Sequence, residues 1–259
     1  MTGYKFYGFS KRPIICKNNL FNSDLYYKKV LIEINGYKRN NLLTKIRNLW
    51  NEYSKNISKS GYLEKFNYAV DCLYKEKKEI VILDLGGGYG DNFYKFLRFN
   101  QSKLKKIKYY IVDQDKKLLD YGKKFFVKRD NIYFSQKLPS MKISILLMVG
   151  TLQYINDFSK VMNLINFGKF GFIYFSRTIF NDSNFDFYSK QIILNKKNIE
   201  QSIKIHSLKK FLIFMKKSGF KKTYLKKKQI LNALFDNSKY NQNISYYDLL
   251  LEKKKIDIS

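Results

Sequence analysis

The chain has 259 residues, enough to bury one substantial α/β core, and it carries 50 Lys and Arg against 21 Asp and Glu for a formal net charge of +29. Neither end holds a run long and apolar enough for a signal peptide or a transmembrane helix, and two distant cysteines, Cys16 and Cys72, with a single histidine argue against a disulfide framework or a metal site, so a cytoplasmic protein without a metal is expected. The basic excess is almost all lysine and comes with abundant Asn, Ile, Phe and Tyr and just two alanines, Ala69 and Ala233, the joint bias of AT-rich codons; charge permits a nucleic-acid partner, but the composition does not favour one.

From the N-terminus, the first 74 residues carry two helical patterns. Leu42, Ile46, Leu49, Trp50 and Tyr53 fall near helical spacing over 42–55, and Leu63, Phe66, Val70 and Leu73 do so over 62–75. Residues 1–74 read as a partly helical extension that packs as a lid, or as a homodimer surface, on a main domain spanning 75–259.

That domain opens on Glu79-Ile80-Val81-Ile82-Leu83-Asp84-Leu85, an apolar run suited to a strand covered on both faces. Gly86, Gly87, Gly88 and Gly90 follow, allowing positive φ and close approach of a ligand, and a helix begins at Asp91 with its amides aimed at the same place. Glycine clusters also occur in ordinary turns. Here the spacing is GxGxG rather than the GxGxxG of dinucleotide sites, and Asp84 stands two residues ahead of it. A carboxylate at that position repels a pyrophosphate and suits a ligand with a cationic group, such as the methionine end of S-adenosyl-L-methionine.

The next strand-like run, over 108–112, ends in Asp113-Gln114-Asp115. An acid at the end of the second strand of a βαβ unit is placed to accept hydrogen bonds from ribose hydroxyls. The same acids also suit the end of a strand and the cap of a helix beginning near Lys116. Strands are further expected over 131–134, 142–149 and 170–176, with helices over 117–127 and 157–167 between them. A helix over 207–218 closed by Gly219 and late strands over 220–225 and 246–252 complete the pattern. The alternation predicts an α/β, Rossmann-like fold: a mostly parallel seven-stranded sheet with an antiparallel C-terminal strand and helices on both faces.

Ligand chemistry then belongs at the carboxyl ends of the strands. After the fourth strand comes Gly150-Thr151-Leu152-Gln153-Tyr154-Ile155, either a site loop or a turn whose Leu152, Tyr154 and Ile155 pack in the core. Arg177 ends the fifth strand in a chain with few arginines; its planar fork suits a carboxylate or phosphate on an acceptor, or an ion pair with Asp182 or Asp186. Tyr154 and His206 are candidate proton acceptors, although His206, just ahead of a helix, reads equally well as a cap or a packing residue.

These residues resemble the class I S-adenosylmethionine-dependent methyltransferases, with Asp84-Leu85-Gly86-Gly87-Gly88-Tyr89-Gly90 as the first motif and Asp113 as the second. More narrowly, Leu83-Asp84-Leu85-Gly86-Gly87, Val112-Asp113-Gln114, Gly122-Lys123-Lys124-Phe125-Phe126, Leu152-Gln153-Tyr154-Ile155 and Arg177-Thr178 are similar to a small bacterial methyltransferase family often encoded among surface-polysaccharide biosynthesis genes. That family usually has Glu at the position of Asp113 and a Tyr-Pro and Trp segment after the Arg-Thr pair, which 195–206 lacks. The resemblance implies S-adenosyl-L-methionine as cofactor, with Asp84 and the glycines at its methionine end, Asp113 and Gln114 at its ribose, and Leu152 near its adenine. It implies a small-molecule or glycan acceptor near Gln153 and Arg177. Two alternatives stay open: an RNA methyltransferase using the lysine-rich surface, and a catalytically silent Rossmann-like nucleotide-binding protein.

Overall fold

The computed structural model describes residues 4–16, 24–39, 64–76, 78–193, 200–228, 233–235 and 244–253, so the helix expected over 42–55 lies outside the described residues. In chain order the elements are β1 (Tyr4–Ser10), α1 (Asp24–Arg39), α2 (Glu64–Glu76), β2 (Ile80–Leu85), α3 (Asp91–Asn100), β3 (Ile107–Val112), α4 (Lys116–Phe125), β4 (Ile132–Ser135) and β5 (Ile143–Val149). They continue as α5 (Phe158–Leu164), β6 (Phe167–Asn181), β7 (Phe187–Ile193), β8 (Glu200–Ser207), α6 (Leu208–Lys217), β9 (Phe220–Lys228), β10 (Ala233–Phe235) and β11 (Ile244–Lys253). Short 3₁₀ turns at Gln101–Lys106 and Leu152–Tyr154 complete the set.

Seven of the strands form the sheet expected from the sequence, in the order β4-β3-β2-β5-β6-β11-β9. β2 pairs in parallel with β3 and β5, β3 with β4 and β5 with β6, whereas β11 runs antiparallel to both β6 and β9. The continuous apolar runs of β2 and β5 follow from burial on both faces, since helices cover each side. On one face α2 and α3 bring Phe66, Val70, Leu73, Phe93, Phe96 and Leu97 onto Ile80, Ile82, Tyr109 and Tyr174. On the other, α5 and α6 bring Phe158, Met162, Phe211 and Met215 onto Leu83, Leu146, Ile173 and Phe175. Each such side chain contributes about 1.5–3 kcal/mol on leaving water, so the two layers fix the sheet between them.

The structure adds a second, smaller sheet that the sequence patterns do not reveal. β6 runs five residues beyond the expected end at Ser176, to Asn181, and there its Phe180 and Asn181 pair in parallel with His206 and Ser207 of β8. β8 pairs with β7, β7 with β1 and β1 with β10, so the small sheet takes over the place beside β6 that β5 vacates at its carboxyl end. Phe187, Ile203 and Ile205 of the small sheet pack with Ile179 of β6 and Ile244 of β11 in a cluster that the two sheets share, with Tyr154 against them. The small sheet therefore stands beside the loop that follows β5.

Candidate cofactor and acceptor cleft

The turn after β2 is built on close approach. Gly86, Gly88 and Gly90 all have positive φ (74°, 56° and 94°), and a Cβ on Gly86 would stand 2.4 Å from the Thr151 side chain, joining the β2 turn to the β5 loop. The Gly86 N–H donates to Val112 O at 2.7 Å, and Gly90 caps α3. Gly87 lies directly over Asp84, where a Cβ would come 2.7 Å from the carboxylate, and Gly90 packs against Phe126 and Ile111.

Asp84 is fully buried beneath this turn and does not line the cleft. Asn92 Nδ2 donates to both its carboxylate oxygens at 3.2 Å, and the Tyr109 hydroxyl donates to Oδ2 at 3.0 Å. Burial pushes its carboxyl up to about 7, against those two hydrogen bonds and with help from the nearby charges of Asp113 and Asp91. The expected direct contact of Asp84 with a ligand ammonium is thus not what this geometry offers; the acid supports the turn from below.

Asp113, at the end of β3, has the complementary position. The Gly88 N–H donates to its Oδ2 at 3.0 Å and the Asp115 N–H to its Oδ1 at 2.9 Å, which ties the second motif to the glycine turn. The Gln114 backbone N–H also hydrogen-bonds this carboxylate, and its remaining acceptor capacity is open to a donor in the cleft. Burial pushes the Asp113 carboxyl upward, and the backbone N–H groups of Asp115 and Gly88 oppose that shift. Asp115 caps α4 by accepting from the Leu118 N–H, the capping role expected of this acid pair, while Asp113 lines the cleft.

A cleft of about 910 Å³ opens at the carboxyl ends of β2, β3 and β5, within the size range of small-molecule sites. Gly86, Asp113, Gln114 and Tyr154 line it, whereas Gly87, Gly88 and Gly90 shape the turn behind. Leu152 is fully buried in the core against α5, and Gln153 is buried with its Oε1 unpartnered, so neither is a lining residue. Tyr154 presents its ring to the cleft while its hydroxyl donates to Gln191 Oε1 of β7 at 3.0 Å. His206 does not line the cleft; its Nδ1 lies 3.4 Å from Asp186 at the seam of the two sheets. Burial works against the charge on Asp186, but His206, the Ser207 N–H and Lys204 hold its carboxyl down at about 2.

The structure also supplies residues that no motif signals. Tyr27 of α1 reaches into the cleft and donates to Asp115 Oδ2 at 2.7 Å, with Lys117 Nζ 3.8 Å over its ring; burial and that acid push the Tyr27 hydroxyl up to about 12. Val30 and Ile34 seat the same helix on Tyr89 and Leu118, and the Tyr89 hydroxyl donates to Glu33 at 2.5 Å. Gln136, after β4, lines the wall opposite Thr151 of the β5 loop and donates to Gln114 O at 2.8 Å. Gln136 was findable by its place just past a strand end; Tyr27 arrives only through tertiary folding.

No family model matches the sequence, and no curated protein does. Among solved structures, the chain is similar to a protein of Listeria monocytogenes assigned as an S-adenosylmethionine-dependent methyltransferase, with 13% identity and a TM-score of 0.50 over 68% of this chain and 92% of that one. This chain has the α/β Rossmann-like methyltransferase fold. Also similar is the 1,6-didemethyltoxoflavin-N1-methyltransferase of Burkholderia thailandensis, solved with its substrate and S-adenosylhomocysteine, at 10% identity and a TM-score of 0.43 over 84% of this chain and 90% of that one. A methyltransferase of Aquifex aeolicus matches at 12% identity and a TM-score of 0.43 over 72% of this chain and 89% of that one.

Proposed function

We propose that the protein is an S-adenosylmethionine-dependent methyltransferase acting on a small molecule, with a sugar or surface-polysaccharide intermediate as the acceptor. The observation that carries this reading is the bond between Asp113 and the Gly88 N–H, which makes an acidic ribose seat and a glycine turn into one wall of the cleft. A pyrophosphate would meet Asp113 and Asp115 there, while a sulfonium and an ammonium gain from the same acids. The polysaccharide assignment rests on the five sequence pieces that resemble that family.

When bound, S-adenosylmethionine would supply a methyl carbon open to in-line attack by an acceptor lone pair, with the carbon–sulfur bonding pair leaving on the sulfur of S-adenosylhomocysteine and the acceptor's proton passing to solvent. The chain's own task is to align the acceptor and keep water out. Asp113, Gln114 and Gln136 hold the nucleoside side; Tyr27 and α1 cover it as a lid, the one described part of residues 1–74 that takes this role. Because the Tyr154 hydroxyl donates to Gln191, Tyr154 fixes the wall shared with the small sheet rather than taking a proton. Cys16 and Cys72 are free thiols, consistent with a reducing cytoplasm.

The direct test is calorimetric titration with S-adenosylmethionine, S-adenosylhomocysteine and NAD in parallel. Micromolar binding of the first two and none of NAD is expected. Binding of NAD alone would overturn the reading, as would binding of none.

A further inference from the structure

Arg177 is the one non-glycine residue with positive φ (50°) among the described residues, a backbone shape that its Cβ disfavours. The cause lies in the neighbouring strand. The β6–β11 register slips between Tyr247, opposite Thr178, and Leu249, opposite Phe175, so that Asp248 alone faces Ser176 and Arg177. Asp248 is fully buried; its Oδ1 accepts from the Ser176 hydroxyl at 2.8 Å and from the Arg177 N–H at 3.2 Å, and its Oδ2 pairs with Lys228 of β9. A bulge, a buried carboxylate paired with a partly exposed lysine, and a left-handed residue, each unfavourable alone, coincide at one strand end.

What they present is a guanidinium. The Arg177 side chain is exposed, and among the described residues no carboxylate lies within ion-pair distance of it. The two acids that the sequence offers are occupied: Asp182 by Lys227 and the Tyr247 hydroxyl, Asp186 by His206 and Lys204. Arg177 is not among the lining residues, but its backbone carbonyl adjoins the cleft. A Cβ on Gly150, a lining residue, would stand 3.9 Å from Arg177 O and 3.8 Å from Gln153 Nε2. The Gly150 N–H donates to Ser176 O at 2.8 Å, locking the two strand ends together.

We propose that Arg177 reads an anionic group on the acceptor, a carboxylate or a phosphate monoester, and that Asp248 is the positioning residue that turns Arg177 toward the cleft. This rests on the methyltransferase reading of that cleft. The planar fork of Arg matches two oxygens of either anion, whereas a neutral sugar offers it no such pair. The acceptor class is therefore a hexuronate-like or phosphorylated sugar.

The test uses the full chain with arginine side chains labelled with nitrogen-15, saturated with S-adenosylhomocysteine, and titrated with glucuronate, glucose 6-phosphate and glucose. The Arg177 Nε resonance, assigned with Arg177→Lys, is expected to shift saturably with one or both anions and not with glucose, which also tells carboxylate from phosphate. Asp248→Asn, and more mildly Ser176→Ala, should weaken that anion binding, by about tenfold for the former, with S-adenosylhomocysteine affinity unchanged. Arg177→Gly should abolish it and raise the melting midpoint by about 2–4 °C as the backbone strain is released. Failure to bind S-adenosylhomocysteine would sink the methyltransferase reading itself. Normal cofactor binding with no anion-specific shift at Arg177, or an equal shift at Arg129, would overturn anion reading alone; full anion affinity in both Asp248→Asn and Ser176→Ala would remove Asp248 as its positioning residue.

Discussion

Asp84 and Asp113 end adjacent paired strands, yet their surroundings assign them different work. Asp113 lines the cleft with a carboxylate, so Asp113→Ala is expected to weaken S-adenosylhomocysteine binding by about tenfold to a hundredfold, the worth of a hydrogen bond to a charged acceptor. Calorimetry decides it, and unchanged affinity would remove Asp113 from the ribose seat. Asp84 instead carries a pH dependence. Its carboxyl rises from an ordinary 3.8 to about 7 in the folded chain, so between those values the native state holds a proton that the unfolded state has released. That contribution is complete below about pH 4 and is lost as the pH rises through 7, a difference of about 4 kcal/mol at 1.36 kcal/mol per unit. The melting midpoint should fall from pH 5 to pH 8, and Asp84→Asn should flatten most of that slope, because its amide keeps an acceptor for Asn92 without a buried charge. An undiminished slope in the variant would place the titration elsewhere.

At the scale of elements, α1 is the part whose attachment can be altered without touching the core. Its Val30 and Ile34 pack with Tyr89 and Leu118 in a cluster separate from the two main layers, and Tyr27 ties it to Asp115 and Lys117. Tyr27→Ala removes a hydrogen bond and a cation–π contact, together worth about 1–2 kcal/mol, and is expected to speed release of S-adenosylhomocysteine about tenfold in stopped-flow and to lower the melting midpoint by about 2–8 °C. An unaltered release rate would show that α1 does not gate the cleft. This helix also shows what the sequence conceals. Its 24–39 stretch holds Val30, Ile32 and Ile34 and an Asn35-Gly36 pair, which suit strands and turns, and tertiary packing overrides them. By contrast the strands at β2 and β5 are legible, because burial on two faces demands nearly continuous apolar runs. β7 and β8 escape notice since Ser189, Lys190, Gln191, Ser202 and Lys204 interrupt them, as befits a small sheet lightly covered. In the site, the strand-end acids and glycines could be located from spacing; that Asp84 faces inward while Asp113 faces the cleft follows from the pleat and the turn, and no spacing rule records it.

For the whole molecule, the decisive feature is how lightly the two sheets are joined. The seven-stranded sheet is sandwiched between two helical layers with large aromatic cores, whereas the small sheet meets it through the pairing of Phe180 and Asn181 with His206 and Ser207. Around that seam the supporting contacts are Tyr154 with Gln191, Lys204 with Asn156 O, and the Asp186–His206 pair. With few backbone ladder bonds to its neighbour among the described residues, and a modest hydrophobic cluster that it shares with Ile179 of β6 and Ile244 of β11, the small sheet should open at a free energy below that of global unfolding. Amides of β7 and β8 are therefore expected to exchange with solvent faster than those of β2, β5 and β6. Because Tyr154 lies on the cleft wall and Gln191 on the small sheet, the two sheets share this wall of the cleft, the side proposed for the acceptor. S-adenosylhomocysteine, seated on Asp113 at the far wall, should slow exchange in the β2 and β3 turns and leave β7 and β8 unchanged; a bound acceptor should protect β7 and β8 as well. Exchange measured by mass spectrometry on the free chain and the S-adenosylhomocysteine complex checks the first two statements, and exchange of β7 at the rate of β5 would mean that the sheets unfold as one body.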